Sequence, residues 1–449
     1  MANTDSLGSP SSPAPIEARR TIARPGSTRA DCRPTSRSGA NHQRNPLTRL
    51  LDPANSLTVF CVALGIVYGL IPLAAYLFVI PEPSFLRLAW LTSLAVMGLL
   101  IGSKVSLFDG QFGPRALRIA VPATAFHATT WLVFLVFVAV TFLTAPSIPL
   151  ISALQGASAD SLSQERGDFL KGRAGAGIAL LYISTFLTNT IAPYSVVLLY
   201  ATKSRYRHFL AGIFFLFCIS FMQKALFLNL VLPLLALFAI QSRLQIRPAL
   251  GVVSGTLVVL LVSTYLSLGD TGEGAAALQG GDYLSASYIP SNPLDYFAWR
   301  AFAVPIFTAT DTLLVHTEQF GGKLLFGATS SLIASTFGME RINIERFVFE
   351  YQFGSWNEIA NSNAVFITDA FVNFGLAGVL VLAVFVGMIF RWFRISRDVG
   401  FKALWPLFAF TLFAASFIGM LLSNGFLYMV FHALFVKIRK NRRLARQIQ

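Results

Sequence analysis

The sequence predicts an all-α polytopic membrane protein with about ten transmembrane helices and one large external loop. Three observations support this fold class. First, 55% of the 449 residues are hydrophobic and only 12% are charged, whereas a soluble chain carries about 25% charged residues. Second, ten apolar stretches lie between residues 57 and 437. Third, lysine and arginine are concentrated in every second loop, which sets the orientation of helices in a membrane.

Each apolar stretch is interpreted as one membrane crossing, for which about 20 residues are needed. The predicted spans are 57–80, 86–107, 117–145, 177–201, 209–222, 225–240, 249–267, 364–390, 403–422 and 425–437. The fifth and sixth together cover only the 32 residues 209–240. This interval is too long for one straight helix and short for two, so it predicts a broken or re-entrant pair, which is tolerated only inside protein.

The basic loops and both tails are predicted to lie in the cytoplasm. The resulting regions are a disordered arginine-rich tail (1–52), a first bundle of about seven spans (53–267), a large external loop (268–362), three last spans (363–437) and a basic tail (438–449). The net charge of +14 is thus explained by topology and by contact with the lipid bilayer. A nucleic-acid partner is not expected, since the basic residues are dispersed among membrane loops.

The chain lacks the common catalytic and cofactor motifs. It has no P-loop, no GxSxG, no HExxH and no CxxC, and its five histidines are scattered. We therefore predict neither a metal site nor a cofactor. The first seven predicted spans hold no mid-membrane carboxylate, and this absence disfavours a proton-coupled transporter.

Cations near the outer membrane boundary are the first candidates for a functional site. Lys224 interrupts the broken pair, Arg173 stands among glycines before the fourth span, and Arg300 opens an apolar stretch of the external loop. Arg341 and Arg346 follow in the same loop. Arginine binds phosphate through paired hydrogen bonds, so these residues could hold the head of a lipid-linked pyrophosphate.

Each of these residues also has a structural interpretation. Lys224 could be a hairpin-tip lysine that extends to the surface. Arg341 could pair with Glu345 one helical turn away. Aromatic residues of the external loop, among them Trp299, suit either sugar stacking or the membrane interface, where tryptophan and tyrosine concentrate.

The segment from Asn361 to Gly378, NSNAVFITDAFVNFGLAG, carries a family resemblance. It resembles a stretch of bacterial O-antigen and oligosaccharide repeat-unit polymerases of the Wzy type, in which a polar lead-in precedes an acid and an aromatic-Asn-Phe-Gly run. Asp369 stands where the family often has Glu, and Asn373 lies in the run. The arginine–glycine stretch at Arg173 and the break at Lys224 are also similar to that family, although the glycine usual before the lysine is missing here.

The resemblance implies a GT-C-like glycosyltransferase in the bacterial inner membrane. Its substrate would be an undecaprenyl-pyrophosphate-linked oligosaccharide, joined into O-antigen, capsule or exopolysaccharide on the periplasmic face, without metal. A chain-length regulator would be a possible partner. The implied catalytic residues are Arg173, Arg300, Lys224 and Asp369, and the implied substrate-binding residues are Arg341, Arg346, Trp299 and Asn373.

Alternatives to this function remain open at the level of sequence. An O-antigen-ligase-type glycosyltransferase has the same layout, and a flippase for the lipid-linked sugar would need a charged path that the spans do not clearly supply. Asp369 also heads a helix, where the dipole stabilises a carboxylate without any catalytic role. Glu345 and Asp311 are the other candidates for a base.

Overall fold

Helices account for most of the fold. The computed structural model describes residues 46–112, 118–170, 178–220, 228–241, 246–268, 282–354, 362 and 365–439. Among them, five helices are long and apolar enough to cross a membrane: Pro53–Phe78, Pro83–Gly102, Ala123–Thr144, Ala179–Ala201 and Phe366–Ile395. The prediction of a helical membrane protein is confirmed in this general form.

The first half of the chain contains four of these long helices and several shorter pieces. The elements are α1 (Pro46–Leu50), α2 (Ser56–Leu64), α3 (Ile71–Phe78), α4 (Pro83–Gly102), β1 (Ile119–Pro122), α5 (Ala123–Thr144), α6 (Pro149–Leu154), α7 (Ala159–Leu170), α8 (Ile178–Phe186) and α9 (Ala192–Ala201). Single π-helical stretches, Gly65–Leu70 and Leu187–Ile191, join α2 to α3 and α8 to α9.

The predicted broken pair coincides with two short helices, α10 (Arg207–Ser220) and α11 (Leu228–Ile240). They have 14 and 13 residues, and neither length spans a bilayer alone. Lys224 lies outside the described residues. The next helix is α12 (Ile246–Leu268).

The predicted external loop is largely helical where it is described. It contains α13 (Pro293–Ala298), a π-helical stretch (Trp299–Ala303), α14 (Val304–Glu318), α15 (Ser331–Thr336) and α16 (Ile344–Phe353). The chain then continues through α17 (Phe366–Ile395), α18 (Val399–Ala403), α19 (Trp405–Leu412), α20 (Phe417–Leu422), α21 (Phe426–Phe435) and β2 (Val436–Arg439). The predicted ninth span, 403–422, is therefore divided into short helices.

A close crossing of α4 and α17 forms the centre of the largest apolar cluster. Gly98 and Gly102 of α4 face Ala383 and Gly387 of α17. A Cβ built on Gly102 would stand 2.0 Å from the carbonyl oxygen of Val384, and one on Gly387 would stand 2.3 Å from that of Leu99. Small residues four apart allow helix backbones to approach this closely in a membrane.

One feature departs from the all-α prediction. β1 and β2 pair in parallel, with Ile119 opposite Val436 and Pro122 opposite Arg439. These strands directly precede α5 and directly follow α21. The pairing therefore joins the ends of two helices that are distant in sequence, and hydrophobic periodicity within either segment does not reveal it.

Candidate functional site

From Phe366 on, the family-like segment lies in a broken helix that holds part of the predicted external loop. Gly375 has φ 65° and ψ −156° inside α17, a conformation essentially restricted to glycine. The break leaves backbone carbonyls without intrahelical donors. The carbonyl of Val372 accepts a hydrogen bond from Leu325 N (3.1 Å), and that of Asn373 accepts one from Phe326 N (2.9 Å).

Asp369 and Asn373 complete this attachment through their side chains. Asn373 is fully buried; its Nδ2 donates to Thr329 Oγ1 (2.8 Å) and to Asp369 Oδ1 (3.0 Å). Its Oδ1 accepts from Gly327 N at 2.9 Å. Thr329 Oγ1 also donates to Asp369 Oδ1 (3.1 Å). One carboxylate oxygen of Asp369 is thus fixed by two donors, which orients the carboxyl group.

Asp369 also borders a small polar cavity of about 20 Å³. The other walls include Glu345 of α16, Ser362 and Thr312 of α14. This volume is enough for about one water molecule. The cavity therefore brings two of the three predicted carboxylate candidates to one place.

Asp311, the third candidate, is connected to the same cavity. Ser362 Oγ donates to Gln352 Oε1, and Gln352 Nε2 donates to Asp311 Oδ2, both at 2.7 Å. Burial raises the pKa of Asp311 to about 6, although the hydrogen bond from Gln352 opposes this shift. A carboxyl group with a pKa near neutrality can accept and release protons under ordinary conditions.

The predicted cationic residues are only partly described. Arg173 and Lys224 lie outside the described residues. Arg300 is exposed and lies close enough to Arg166 of α7 for their charges to interact. Burial lowers the pKa of Arg166, and the charge of Arg300 lowers it further. Two arginines from separate parts of the chain therefore lie within electrostatic range of each other.

The remaining predicted residues have different surroundings. Arg341 is exposed before α16, and Arg346 is half-buried next to Glu345 on that helix. Trp299 is only 5% exposed, with ring centroids of Tyr288 and Phe307 at 6.1 and 5.7 Å. The Trp299 ring and the Asn373 amide both make intramolecular contacts, and their role in binding substrate stays a prediction.

Arg87 is a boundary cation that the sequence analysis missed. It lies near the start of α4, with its guanidinium 4.5 Å from the centroid of the Phe371 ring. Its Nη1 donates to Thr317 Oγ1 of α14 at 3.2 Å. An arginine at the predicted outer end of a span was the available signal, because the predicted topology places most arginines on the opposite side.

Within the described part of the chain, no group of three His, Cys, Asp or Glu side chains could hold a metal ion. No protein-family model, curated protein or solved structure matches the chain. The geometry of the site and the short resemblance around Asp369 are therefore the grounds on which a function is proposed.

Proposed function

We propose that this protein polymerises undecaprenyl-pyrophosphate-linked oligosaccharide repeat units on the outer face of the bacterial inner membrane, as a GT-C-like enzyme with about ten spans and cytoplasmic termini. One observation carries the proposal. The segment that resembles repeat-unit polymerases directs a carboxylate, Asp369, to a small polar cavity at the start of α17.

The reaction that we propose is a displacement at a sugar carbon. The hydroxyl oxygen of the acceptor forms a bond to C1 of the donor sugar, and the C1–O bond to the pyrophosphate breaks. The leaving lipid pyrophosphate keeps the electron pair of that bond. The hydroxyl proton passes to a carboxylate, for which Asp369 is the first candidate and the linked Glu345 and Asp311 are the alternatives.

Stabilisation of the leaving group is assigned to cations, without metal. Arg173 and Arg300 would contact the pyrophosphate, with Lys224, Arg341 and Arg346 contributing. The electrostatic proximity of Arg166 to Arg300 supports this assignment, because two guanidinium groups in one region attract a multiply charged anion. Such donors lower the barrier where negative charge develops.

The test measures how fast the purified protein converts purified lipid-linked repeat units into a ladder of polymers on a gel. Arg173→Ala and Arg300→Ala should each lower the rate by about 10²–10³, and Arg→Lys should fall between wild type and alanine because lysine keeps the charge but loses the paired hydrogen bonds. Asp369→Asn keeps an acceptor for Thr329 and should lower the rate by about 10²–10⁴ if Asp369 is the base.

A matched control is Arg394→Ala, an exposed arginine at the opposite end of α17, which should leave the rate unchanged. Full activity of both Arg173→Ala and Arg300→Ala at normal protein levels would reject the leaving-group assignment. Activity that disappears with a chelator and returns with a divalent ion would reject the metal-free mechanism. Transfer of finished polymer to another acceptor, without laddering, would favour the ligase instead.

A further inference from the structure

A basic cavity of about 560 Å³ lies at the other end of the helices, on the side that the loop charges assign to the cytoplasm. Its walls come from the residue before β1, the start of α5, α9, the end of α11, the start of α18 with the residues before it, and β2. Three cationic side chains line it: Arg118, Arg397 and Lys437. Arg397 and Lys437 are exposed, whereas Arg118 is half-buried.

The one carboxylate among the described lining residues, Asp398, has several donors of its own. Its Oδ2 accepts from Tyr194 OH at 2.6 Å. Its Oδ1 accepts from Gly400 N at 2.8 Å and Phe401 N at 3.3 Å, which caps α18. Three cations therefore face one carboxylate that is already hydrogen-bonded, and the cavity keeps an excess of positive charge.

The arginines at this cavity are close enough to repel each other. Burial lowers the pKa of Arg118; the charge of Asp398 opposes this effect, and the charge of Arg397 adds to it. An anion between the two guanidinium groups would relieve this repulsion, and phosphate matches their fork-shaped donors.

A second cavity of about 740 Å³ adjoins the basic one. Val436 lines both cavities. The walls of the second are mainly apolar and aromatic, contributed by α5, α8, the following π-helical stretch, the end of α20 and α21; they include Phe126, Val133, Phe186, Leu187, Leu422 and Tyr428. A ligand that fills both cavities must combine an anionic group with hydrocarbon.

His432 of α21 marks the transition between the two environments. It is 3% exposed and lines the apolar cavity, and both of its ring nitrogens are buried without a hydrogen-bond partner. Its ring centroid lies 5.0 Å from that of Tyr194, which lines the basic cavity. Buried polar groups normally have partners, so an unpartnered imidazole here indicates a ligand that accepts or donates a hydrogen bond.

We propose that the two cavities together bind one anionic phospholipid from the cytoplasmic leaflet. The phosphate lies among Arg118, Arg397 and Lys437, an ester carbonyl accepts a hydrogen bond from His432, and an acyl chain fills the apolar cavity. Phosphate, ester and chain follow one another in a phospholipid in the same order as the basic wall, His432 and the apolar wall. This site is separate from the proposed polymerase site and does not depend on it.

The test is native mass spectrometry of the purified full-length protein titrated with phosphatidylglycerol. The double variant Arg397→Gln/Lys437→Gln removes two exposed cations and should weaken binding about 25-fold, since each basic residue at a lipid surface contributes about fivefold. The matched control Arg394→Gln/Arg439→Gln removes two exposed cations from the same end that line neither cavity, and should bind like wild type.

Further binding measurements distinguish a lipid from a free anion and test the predicted position of the ester group at His432. Phosphatidylcholine should bind more weakly than phosphatidylglycerol, and soluble glycerophosphoglycerol or inorganic phosphate should not displace the lipid. His432→Leu should weaken binding while leaving the charge unchanged. Equal binding by both double variants, displacement by soluble phosphate at lipid-like concentrations, equal affinity for phosphatidylcholine, or unchanged binding by His432→Leu would each overturn the proposal.

Discussion

The two ends of α17 each hold a loop, but by different chemistry. At the C-terminal end, which the loop charges predict to be the inner end, Arg391 forms an ion pair with Asp109 and donates to Ser103 O (3.1 Å), while Trp392 Nε1 donates to Leu107 O (3.0 Å). The side chains of this ion pair are 19% and 27% exposed. At the N-terminal end, predicted to be the outer end, the attachment depends on the fully buried amide of Asn373.

This difference has consequences for stability and for chemistry. A partly exposed ion pair is screened by water and salt, so substitution of a residue in the inner attachment should cost little stability. A buried polar network leaves unpaired groups when one member is lost, so substitution in the outer attachment should cost more stability. The outer network also fixes the carboxyl group of Asp369 beside a cavity, which is a requirement for acid–base chemistry.

The largest effect is expected where α4 crosses α17, because this crossing supports both ends. Gly102→Leu would force a side chain into the backbone of Val384 and should destabilise the protein by more than about 3 kcal/mol. Thermal unfolding of the purified protein measures the change. The control is Gly255→Leu, since a Cβ at Gly255 meets nothing within 4 Å. If both variants unfold at the wild-type temperature, the close crossing is wrong.

Substitution in the outer attachment should lower stability more than substitution in the inner one. Asn373→Leu keeps a similar volume but leaves Gly327 N and the partners of the amide unpaired, with an expected loss of about 3 kcal/mol. Arg391→Gln should cost about 1 kcal/mol, because its ion pair is partly exposed. The two variants are compared by denaturant unfolding and by protease cleavage between Leu324 and Ser330. Equal losses in both variants would remove the distinction between the two ends.

The last effect is a pH dependence of stability, and it concerns Asp311 near the outer end alone. The pKa of Asp311 is raised from 3.8 to about 6, so the folded state holds this proton more tightly than the unfolded state. Stability should therefore fall as pH rises from about 4 to about 6 and stay level above that range. Asp311→Asn can still accept the hydrogen bond from Gln352 and removes the titration. It should be about 3 kcal/mol more stable than wild type at pH 7, with most of the difference gone near pH 4.

Unfolding midpoints of wild type and Asp311→Asn at both pH values measure this difference. Gln319→Glu, an exposed change at the end of α14, serves as the control for an added surface carboxyl group. Parallel pH profiles for wild type and Asp311→Asn would show that burial does not shift this carboxyl group.

Some parts of the site could be anticipated from sequence because they are local in the chain. The run from Asn361 to Gly378 pointed to Asp369, and the acidic external loop pointed to Glu345 and Asp311. Their convergence could not be anticipated, since it depends on Gln352 and Ser362 linking α14, α16 and the residues before α17. Arg87 was missed for the same reason: its partners, Thr317 and Phe371, are more than 200 residues away.

The sequence by itself determined the membrane class. Hydrophobic stretches and loop charges are properties of contiguous residues, and they govern insertion into a bilayer without any tertiary contact. The tertiary structure decided which helices approach closely, where α17 breaks, and which polar groups meet. These features arise from contacts between distant residues, such as Gly102 with Val384 or Ile119 with Val436. Packing and hydrogen-bond satisfaction select such contacts only once the chain has folded, and local composition does not encode them.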